Sequence, residues 1–205
     1  MRVGVVADVH NNVEALTYAL EALHGCELVL NLGDLVSQYR VTPDVLRVSR
    51  HAGLLGILGN HEKSILAPAS AGMRSRLAPE DLAFLEELPD QRSLIVDGRR
   101  LKVVHGSPWD DPTDMACRYI YEQDAASLKR LGATEADVLL LGHTHIAMAT
   151  RLGDMLVLNP GSCGEARDQA RRLSFAELDF AAGVASVYEV RRGAPPEAFI
   201  GPLSF

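Results

Sequence analysis

The stretch VGVVADVH, residues 3–10, decides the fold of this chain. Its apolar run, residues 3–7, stops at Asp8, which predicts a short buried strand. Two more apolar runs, residues 28–32 and 53–58, follow along the chain. Segments whose apolar residues recur at helical spacing separate these runs. This alternation of strand and helix predicts a mainly parallel sheet.

The second half of the chain has the pattern of antiparallel strands. Asp97-Gly98 lies between two apolar runs, where Asp-Gly is a strong signal for a tight hairpin. Residues 67–79 are predicted to form a loop. The other predicted elements are helices at 13–23, 43–50, 79–88 and 124–131 and strands at 93–96, 101–104, 137–141, 146–151, 155–158, 173–178 and 184–190. We therefore predict an α/β fold, a four-layer α-β-β-α sandwich of two mixed sheets flanked by helices, in one domain of residues 1–205.

The composition is that of a globular protein, with 47% apolar and 23% charged residues. The net charge of −7 argues against long nucleic acid as a partner. The longest nearly uncharged stretch, residues 138–150, is too short to span a bilayer, and the first residues lack the pattern of a secretory signal. Cys26, Cys117 and Cys163 are far apart and predict no disulfide framework. These features predict a cytoplasmic protein that does not act at a membrane.

Polar side chains of the types that bind metals follow the ends of the predicted strands. They are Asp8 and His10 after the first strand, Asp34 after the second, Asn60 and His61 after the third, His105 after 101–104, and His143 and His145 after 137–141. The carboxyl ends of strands in an open α/β sheet meet at one edge, where binding sites are built. We therefore expect all of these residues to lie close together.

The spacing of these residues suits a pair of metal ions. In an extended segment, residues i and i+2 point the same way, so Asp8 and His10 can hold one ion together, and so can His143 and His145. The two oxygens of Asp34 could bridge two ions. Nitrogen and oxygen donors of this kind suit Mn²⁺, Fe, Zn²⁺ or Ni²⁺. Two such ions, roughly 3.5–4 Å apart, stabilise both the attacking and the leaving oxygen of a phosphoryl transfer.

The motifs resemble, in order, the signature of the calcineurin-like metallophosphoesterases. They are Asp8-Val-His10, Gly33-Asp34, Gly59-Asn60-His61-Glu62, Val104-His105-Gly106 and Gly142-His143-Thr144-His145. His105-Gly106-Ser107-Pro108 and Asn159-Pro160-Gly161-Ser162 are similar to the compact bacterial and archaeal phosphodiesterase branch of that family. The resemblance implies a metal-dependent phosphoesterase, most simply a phosphodiesterase that hydrolyses small phosphodiester substrates.

The resemblance also implies a role for each residue. Two divalent ions (Mn, Fe, Zn or Ni, with Mn favoured in vitro) would be held by Asp34 as the bridge, by Asp8, His10 and His145 on the first metal, and by Asn60, His105 and His143 on the second. The nucleophile would be a hydroxide held between the metals. His61 would not bind metal but would act as the general acid that protonates the leaving oxygen.

Two positions depart from the family pattern, and one segment has two interpretations. Asn11 stands where the family usually has glycine, although asparagine tolerates a left-handed turn. Glu62 stands where aspartate is common, a change that would alter hydrogen bonding to a histidine. Residues 159–162 either line the substrate pocket or form a turn between strands. Trp109 and Tyr119 either stack on a nucleobase or pack at the rim of the core.

Two other functions share this fold. A catalytically silent scaffold would bind partner proteins, but it has no need of His61 or of a full ligand set. A nuclease acting on long nucleic acid would need a basic groove, which the acidic composition does not favour. The sequence leaves open the physiological substrate, the native metal and whether the protein forms a homo-oligomer.

Overall fold

Two mixed sheets face each other in the computed structural model, which describes residues 1–109 and 119–205. Within these residues the first sheet has the strand order β11-β10-β9-β1-β2-β3, and the second has the order β4-β5-β6-β8-β7. The strands are β1 Arg2–Val6, β2 Leu28–Asn31, β3 Leu55–Gly56, β4 Gln91–Val96, β5 Arg99–Val104, β6 Val138–Leu140, β7 Ala147–Leu152, β8 Met155–Pro160, β9 Ser174–Asp179, β10 Val184–Glu189 and β11 Glu197–Ser204. The helices are α1 Val13–Ala22, α2 Asp44–His51, α3 Asn60–Leu66, α4 Ala71–Arg74, α5 Pro79–Glu86 and α6 Ala125–Leu131.

Three apolar clusters divide the molecule into four layers. The central cluster lies between the sheets and joins residues such as Val5 and Leu30 of the first sheet to Val103 and Leu140 of the second. A second cluster packs the other face of the first sheet against α1, α2, α3 and α5, and a third packs the second sheet against α6. The predicted α-β-β-α sandwich of two mixed sheets is therefore confirmed. None of the helices in the described ranges is long and apolar enough to cross a membrane.

Each sheet contains three parallel strands that run toward the same edge of the molecule. In the first sheet β1 pairs with β2 and β2 with β3, and in the second β5 pairs with β6 and β6 with β8. The remaining strands are antiparallel and extend both sheets at their sides. The parallel strands bring their carboxyl ends together, as the sequence predicts.

Local signals explain several boundaries. Asn12 caps α1 by accepting a hydrogen bond from the Ala15 amide at 3.1 Å. Asp124 caps α6 in the same way through the Ser127 amide, also at 3.1 Å. The predicted Asp97-Gly98 hairpin is present, and both residues have the positive φ angles, 46° and 80°, that such a turn requires.

Some predicted elements were wrong. The segment at 67–79 is not simply a loop, since it contains a 3₁₀ turn at Pro68–Ser70 and the short helix α4. Helix α3, which begins at Asn60, was not predicted, and β3 is shorter than 53–58. Strand β11 was also missed, because Gly201 and Pro202 argue against a strand, yet an edge strand tolerates proline. Cys117 lies outside the described residues.

Candidate metal centre

The structure gathers all of the predicted site residues at the carboxyl ends of the parallel strands. Asp34, after β2, is at the centre of the group. Its Oδ2 atom lies 3.3 Å from Nε2 of His105. The same oxygen is 3.9 Å from Nε2 of His10 and 3.9 Å from Nε2 of His61. One carboxylate oxygen thus faces histidines that come from both sheets.

The potential ligand atoms form two groups that share this centre. Asp8, His10 and His145 form one group, and Asp34, His105 and His143 form the other, with the ligand atoms of each group within 4.8 Å of one another. Asn60 joins the second group, because its Oδ1 atom is 3.0 Å from Nε2 of His105. These are the two sets that the resemblance implies. His10, Asp34 and His61 also lie close enough to form a third such group.

Backbone carbonyls set the orientation of two of the histidines. Nδ1 of His105 donates to the carbonyl of Leu32 at 2.7 Å, and Nδ1 of His145 donates to the carbonyl of Glu165. Because a carbonyl only accepts, Nδ1 carries the proton in each ring, and Nε2 presents a lone pair to the centre of the cluster when the ring is neutral. Histidines that bind metals are typically held in this way.

A buried polar atom without a partner indicates that the cluster suits a cation. Oδ1 of Asp8 is buried and has no hydrogen-bond partner. The other oxygen of Asp8 accepts from the His143 amide at 2.9 Å, which leaves Oδ1 facing His145 at 3.4 Å. A buried carboxylate oxygen with no donor is costly, and a metal ion would satisfy it. Imidazole nitrogens and carboxylate oxygens are donors that Mn, Fe, Zn and Ni accept.

Burial and the crowding of charge shift the pKa values in the cluster. Burial raises the pKa of Asp8 to about 8 and lowers those of His10 and His145 to about 4. Burial also opposes charge on Asp34 and His105, but each favours the charged form of the other. The pKa of Asp34 therefore stays below its usual range and that of His105 rises to about 9. Any metal that binds His105 must displace its proton.

The backbone of the cluster is held in an unusual conformation. Left-handed φ angles are uncommon outside glycine and cost energy, so they persist only where surrounding contacts enforce them. Asn11 adopts such an angle, 67°, so asparagine forms the turn for which the family usually has glycine. Most of the site residues share the feature: Asp8 at 52°, His10 at 46°, Asp34 at 56°, His143 at 71° and His145 at 58°.

Glu62 stabilises the loop that carries Asp34. Its fully buried carboxylate accepts hydrogen bonds from the amides of Asp34 at 2.8 Å, Val36 at 3.0 Å and Gly59 at 2.9 Å. Glu62 therefore acts on the backbone of the loop through these amides. A Cβ on Gly59 would lie 2.1 Å from Oδ1 of Asp34, which explains glycine there.

Two side chains of residues 159–162 support the loops that carry candidate metal ligands instead of lining a pocket. Asn159 and Ser162 are both buried. Nδ2 of Asn159 donates to the Gly142 carbonyl at 2.8 Å and to Oγ1 of Thr144 at 3.0 Å. The Ser162 hydroxyl donates to the Asp8 carbonyl at 2.7 Å. These side chains hold the loops after β1 and β6.

His61 lies at the outer side of the cluster, and a hydrogen bond from the loop after β2 selects the tautomer of its neutral ring. The Gln38 amide donates to Nδ1 of His61 at 3.0 Å. Because Nδ1 accepts this bond, the ring proton is on Nε2, the nitrogen that faces Asp34. The loop thus presents an N–H group of His61 to the centre of the site.

Aromatic residues surround the cluster, and the sequence interpretation found only some of them. Tyr119 stacks on the His143 ring with centroids 4.2 Å apart. Trp109 is part of the packing around α6, where Arg130 lies over its ring at 4.0 Å. Tyr39, which sequence reasoning missed, lies edge-on to His61 with centroids 5.6 Å apart. A tyrosine in a polar loop five residues after Asp34 was the available signal.

The fold and the site together define a class of protein: an α/β sandwich whose facing sheets bring carboxylates and imidazoles to one edge, arranged to hold metal. Comparison with known proteins identifies the family. The calcineurin-like phosphoesterase superfamily domain matches residues 1–183, and the chain belongs to that superfamily.

Individual relatives agree with this assignment. A probable metallophosphoesterase of Methanothermobacter thermautotrophicus is 29% identical over 165 residues, which cover 79% of this chain and 77% of the relative. A phosphodiesterase of Methanocaldococcus jannaschii is 23% identical over 167 residues, 80% of this chain and 84% of the relative. The crystal structure of a metallophosphoesterase from Sphaerobacter thermophilus superposes with a TM-score of 0.75 at 25% identity, covering 93% of this chain and 89% of that one.

Proposed function

We propose that this protein is a phosphodiesterase that uses two divalent metal ions to hydrolyse small phosphodiester substrates. The observation that carries the proposal is the double ligand group around Asp34, whose Oδ2 atom faces histidines of both groups. One group consists of Asp8, His10 and His145, and the other of Asn60, His105 and His143. The names of the relatives, a phosphodiesterase and a probable metallophosphoesterase, support the same reaction class.

Each residue of the site would have a distinct role in the reaction. When bound, the metal ions supply the positive charge that stabilises the attacking and leaving oxygens of the displacement. Asp34 would bridge them, and the carbonyls of Leu32 and Glu165 would keep Nε2 of His105 and His145 directed at the ions. His61 would hold its Nε2 proton at the phosphate. To protonate the leaving oxygen it would act as the imidazolium, which gives up the Nε2 proton and becomes neutral.

The full set of ligands favours an enzyme over a silent scaffold. A scaffold gains nothing from burying Asp8 and Asp34 in strained backbone, since such groups reduce stability unless they act on a ligand. The free thiols of Cys26 and Cys163 fit a reducing compartment such as the cytoplasm, where we propose that the enzyme works.

The test is metal-dependent turnover. The purified protein is stripped of metal with a chelator, analysed for residual metal, and assayed on bis(4-nitrophenyl) phosphate before and after Mn²⁺, Zn²⁺, Fe²⁺ or Ni²⁺ is returned. We expect no turnover without metal and recovery with about two ions per chain. The Ile95→Ala variant, which changes an exposed side chain of β4, is the control and should behave as the wild type. A folded, metal-loaded protein that hydrolyses no phosphoester would contradict the proposal.

A further inference from the structure

Tyr39 is an exposed aromatic residue that lies next to His61, and its position bears on which substrates the site would favour. Tyr39 is 82% exposed, although its ring lies beside the buried cluster. Its centroid is 5.6 Å from that of His61, with the planes 78° apart. His61 is the residue that we place at the leaving oxygen, so Tyr39 is next to the departing half of the substrate.

The loop that carries Tyr39 is held on both sides. Before it, the Gln38 amide donates to His61 at 3.0 Å. After it, the Arg40 carbonyl accepts from Nδ2 of Asn11 at 2.6 Å, and the Arg40 amide donates to the Ser37 carbonyl at 3.2 Å. Asn11 follows His10 directly. The backbone on either side of Tyr39 is therefore bonded to His61 and to Asn11, the neighbour of His10, which holds the Tyr39 backbone beside the cluster.

The ring of Tyr39 is available to a ligand, in contrast to that of Tyr119. Tyr119 already stacks on His143 at 4.2 Å and lies parallel to Tyr121 at 6.5 Å. The only ring contact of Tyr39 among the described residues is the edge-on one with His61. An exposed, positioned aromatic ring binds flat aromatic groups by stacking and is indifferent to their hydrogen-bonding pattern.

We propose that Tyr39 is a specificity-determining residue that stacks on the leaving group, so that the enzyme prefers diesters whose leaving group carries a planar aromatic ring, such as an aryl group or a nucleobase. This inference rests on the proposed phosphodiesterase function. The proposed contact joins the Tyr39 ring to the leaving group of the substrate and does not involve the metal ligands.

The experiment compares two diesters whose leaving alcohols have similar acidity but different shapes. Methyl phenyl phosphate has a flat leaving group, and methyl hexafluoroisopropyl phosphate has a compact, non-planar one. We expect Tyr39→Ala to lower kcat/KM for the phenyl diester about two- to tenfold and to leave the other diester unchanged. Tyr39→Phe keeps the ring and should keep the preference. Ile95→Ala, the other large apolar side chain that is highly exposed in the described residues, is the matched control.

Several results would overturn the proposal. An equal loss on both diesters, or no loss on either, would mean that Tyr39 does not contact the leaving group. A Tyr39→Phe variant that behaves like Tyr39→Ala would assign the effect to the hydroxyl instead of the ring.

A binding measurement separates this proposal from the function on which it rests. Calorimetry compares phenylphosphonate with cyclohexylphosphonate on the Mn²⁺-loaded protein, since neither compound is hydrolysed. The wild type should bind the phenyl compound more tightly, and Tyr39→Ala should remove that difference. If the wild type hydrolyses neither diester, the phosphodiesterase function fails. The binding preference then still decides the role of Tyr39, and a wild type without it contradicts the proposal.

Discussion

The two edges of the sheets treat charged residues in opposite ways. At the carboxyl ends of the parallel strands, the site edge, Asp34 is 1% exposed and has a φ of 56°. At the other ends, the turn edge, the Asp137 side chain is 37% exposed and pairs with Arg100 at 3.1 Å. The turn edge satisfies its charges locally and in water. The site edge concentrates carboxylates and imidazoles in strained backbone, an arrangement that makes physical sense when a bound ion compensates it.

Strain also differs between the edges. At the turn edge, the left-handed residues Asp97 and Gly98 form a hairpin turn in which such angles are expected. The left-handed residues of the site edge include aspartates, histidines and Asn11, and long-range hydrogen bonds such as that from the Ser162 hydroxyl to the Asp8 carbonyl hold them. Among the described residues, left-handed backbone at aspartate and histidine is therefore concentrated at the site edge.

The most severe test of the comparison is Asp34→Asn. Asparagine keeps the shape, tolerates the left-handed angle and can still accept from the His61 amide. Loss of the shared ligand should lower kcat/KM by at least about a thousandfold and reduce the metal content. The metal-free variant should be less stable than the wild type at pH 7, because Asp34 and His105 favour each other's charged form and a lowered carboxylate pKa stabilises the fold. Metal analysis and urea unfolding measure both effects.

Full metal content and normal turnover in Asp34→Asn would contradict the assignment of the site edge. Asp137→Asn is the matched control at the turn edge and should keep wild-type activity.

The second test removes the proton donor with His61→Asn. We expect kcat to fall about 10²- to 10⁴-fold while both metal ions stay bound. If His61 protonates the leaving oxygen, the loss should be smaller for a 4-nitrophenyl leaving group, which needs little protonation, than for an alkyl one. Equal losses with both would argue that His61 only binds the phosphate through its Nε2 proton.

The third test concerns the support of the site edge. Glu62→Gln replaces one of the carboxylate oxygens that accept from the Asp34, Val36 and Gly59 amides with an NH₂ group. We expect the free energy of unfolding to fall by about 2–4 kcal/mol and metal affinity to fall about 10- to 100-fold. Glu165→Gln, which changes an exposed carboxylate, is the control and should cost less than about 0.5 kcal/mol. Equal stability of the two variants would show that Glu62 does not hold the loop.

The smallest effect is expected at the turn edge. Hydrogen bonds from the side chain and the amide of Arg100 hold the pKa of Asp137 below its usual value. A lowered carboxylate pKa stabilises the fold above the unfolded-state pKa and loses its effect as the pH falls through the folded-state value. Asp137→Asn should cost less than about 1 kcal/mol at pH 7, because the pair is exposed and screened. The difference from wild type should shrink below about pH 4 and in high salt. A larger loss of stability that does not change with pH would contradict the contrast between the turn edge and the site edge.

Local sequence signals predicted much of the fold. Apolar runs ending in Asp8 and Asp34 predicted strands whose ends meet, and Asp97-Gly98 predicted its hairpin. The signals failed for other elements. Strand β11 exists through its pairing with β10, and α3 begins at Asn60, where the buried Glu62 satisfies the amide of Gly59. The β10 pairing has no signature within a short window of sequence, whereas the bond from Gly59 to Glu62, three residues away, is a local helix cap that the sequence interpretation missed.

In the site, too, some features follow from the sequence and others depend on the tertiary structure. The chain alone predicted which residues would form the cluster, because an aspartate or histidine just past an apolar strand has suitable donor atoms and lies at the carboxyl edge of the sheet. Only the tertiary structure decided how they are used. It directs Nε2 of His105 inward through the Leu32 carbonyl, employs Asn159 and Ser162 as supports, and sets Tyr39 beside His61. The reason is that donor identity is a property of a side chain, whereas direction, burial and charge balance depend on neighbours from both sheets.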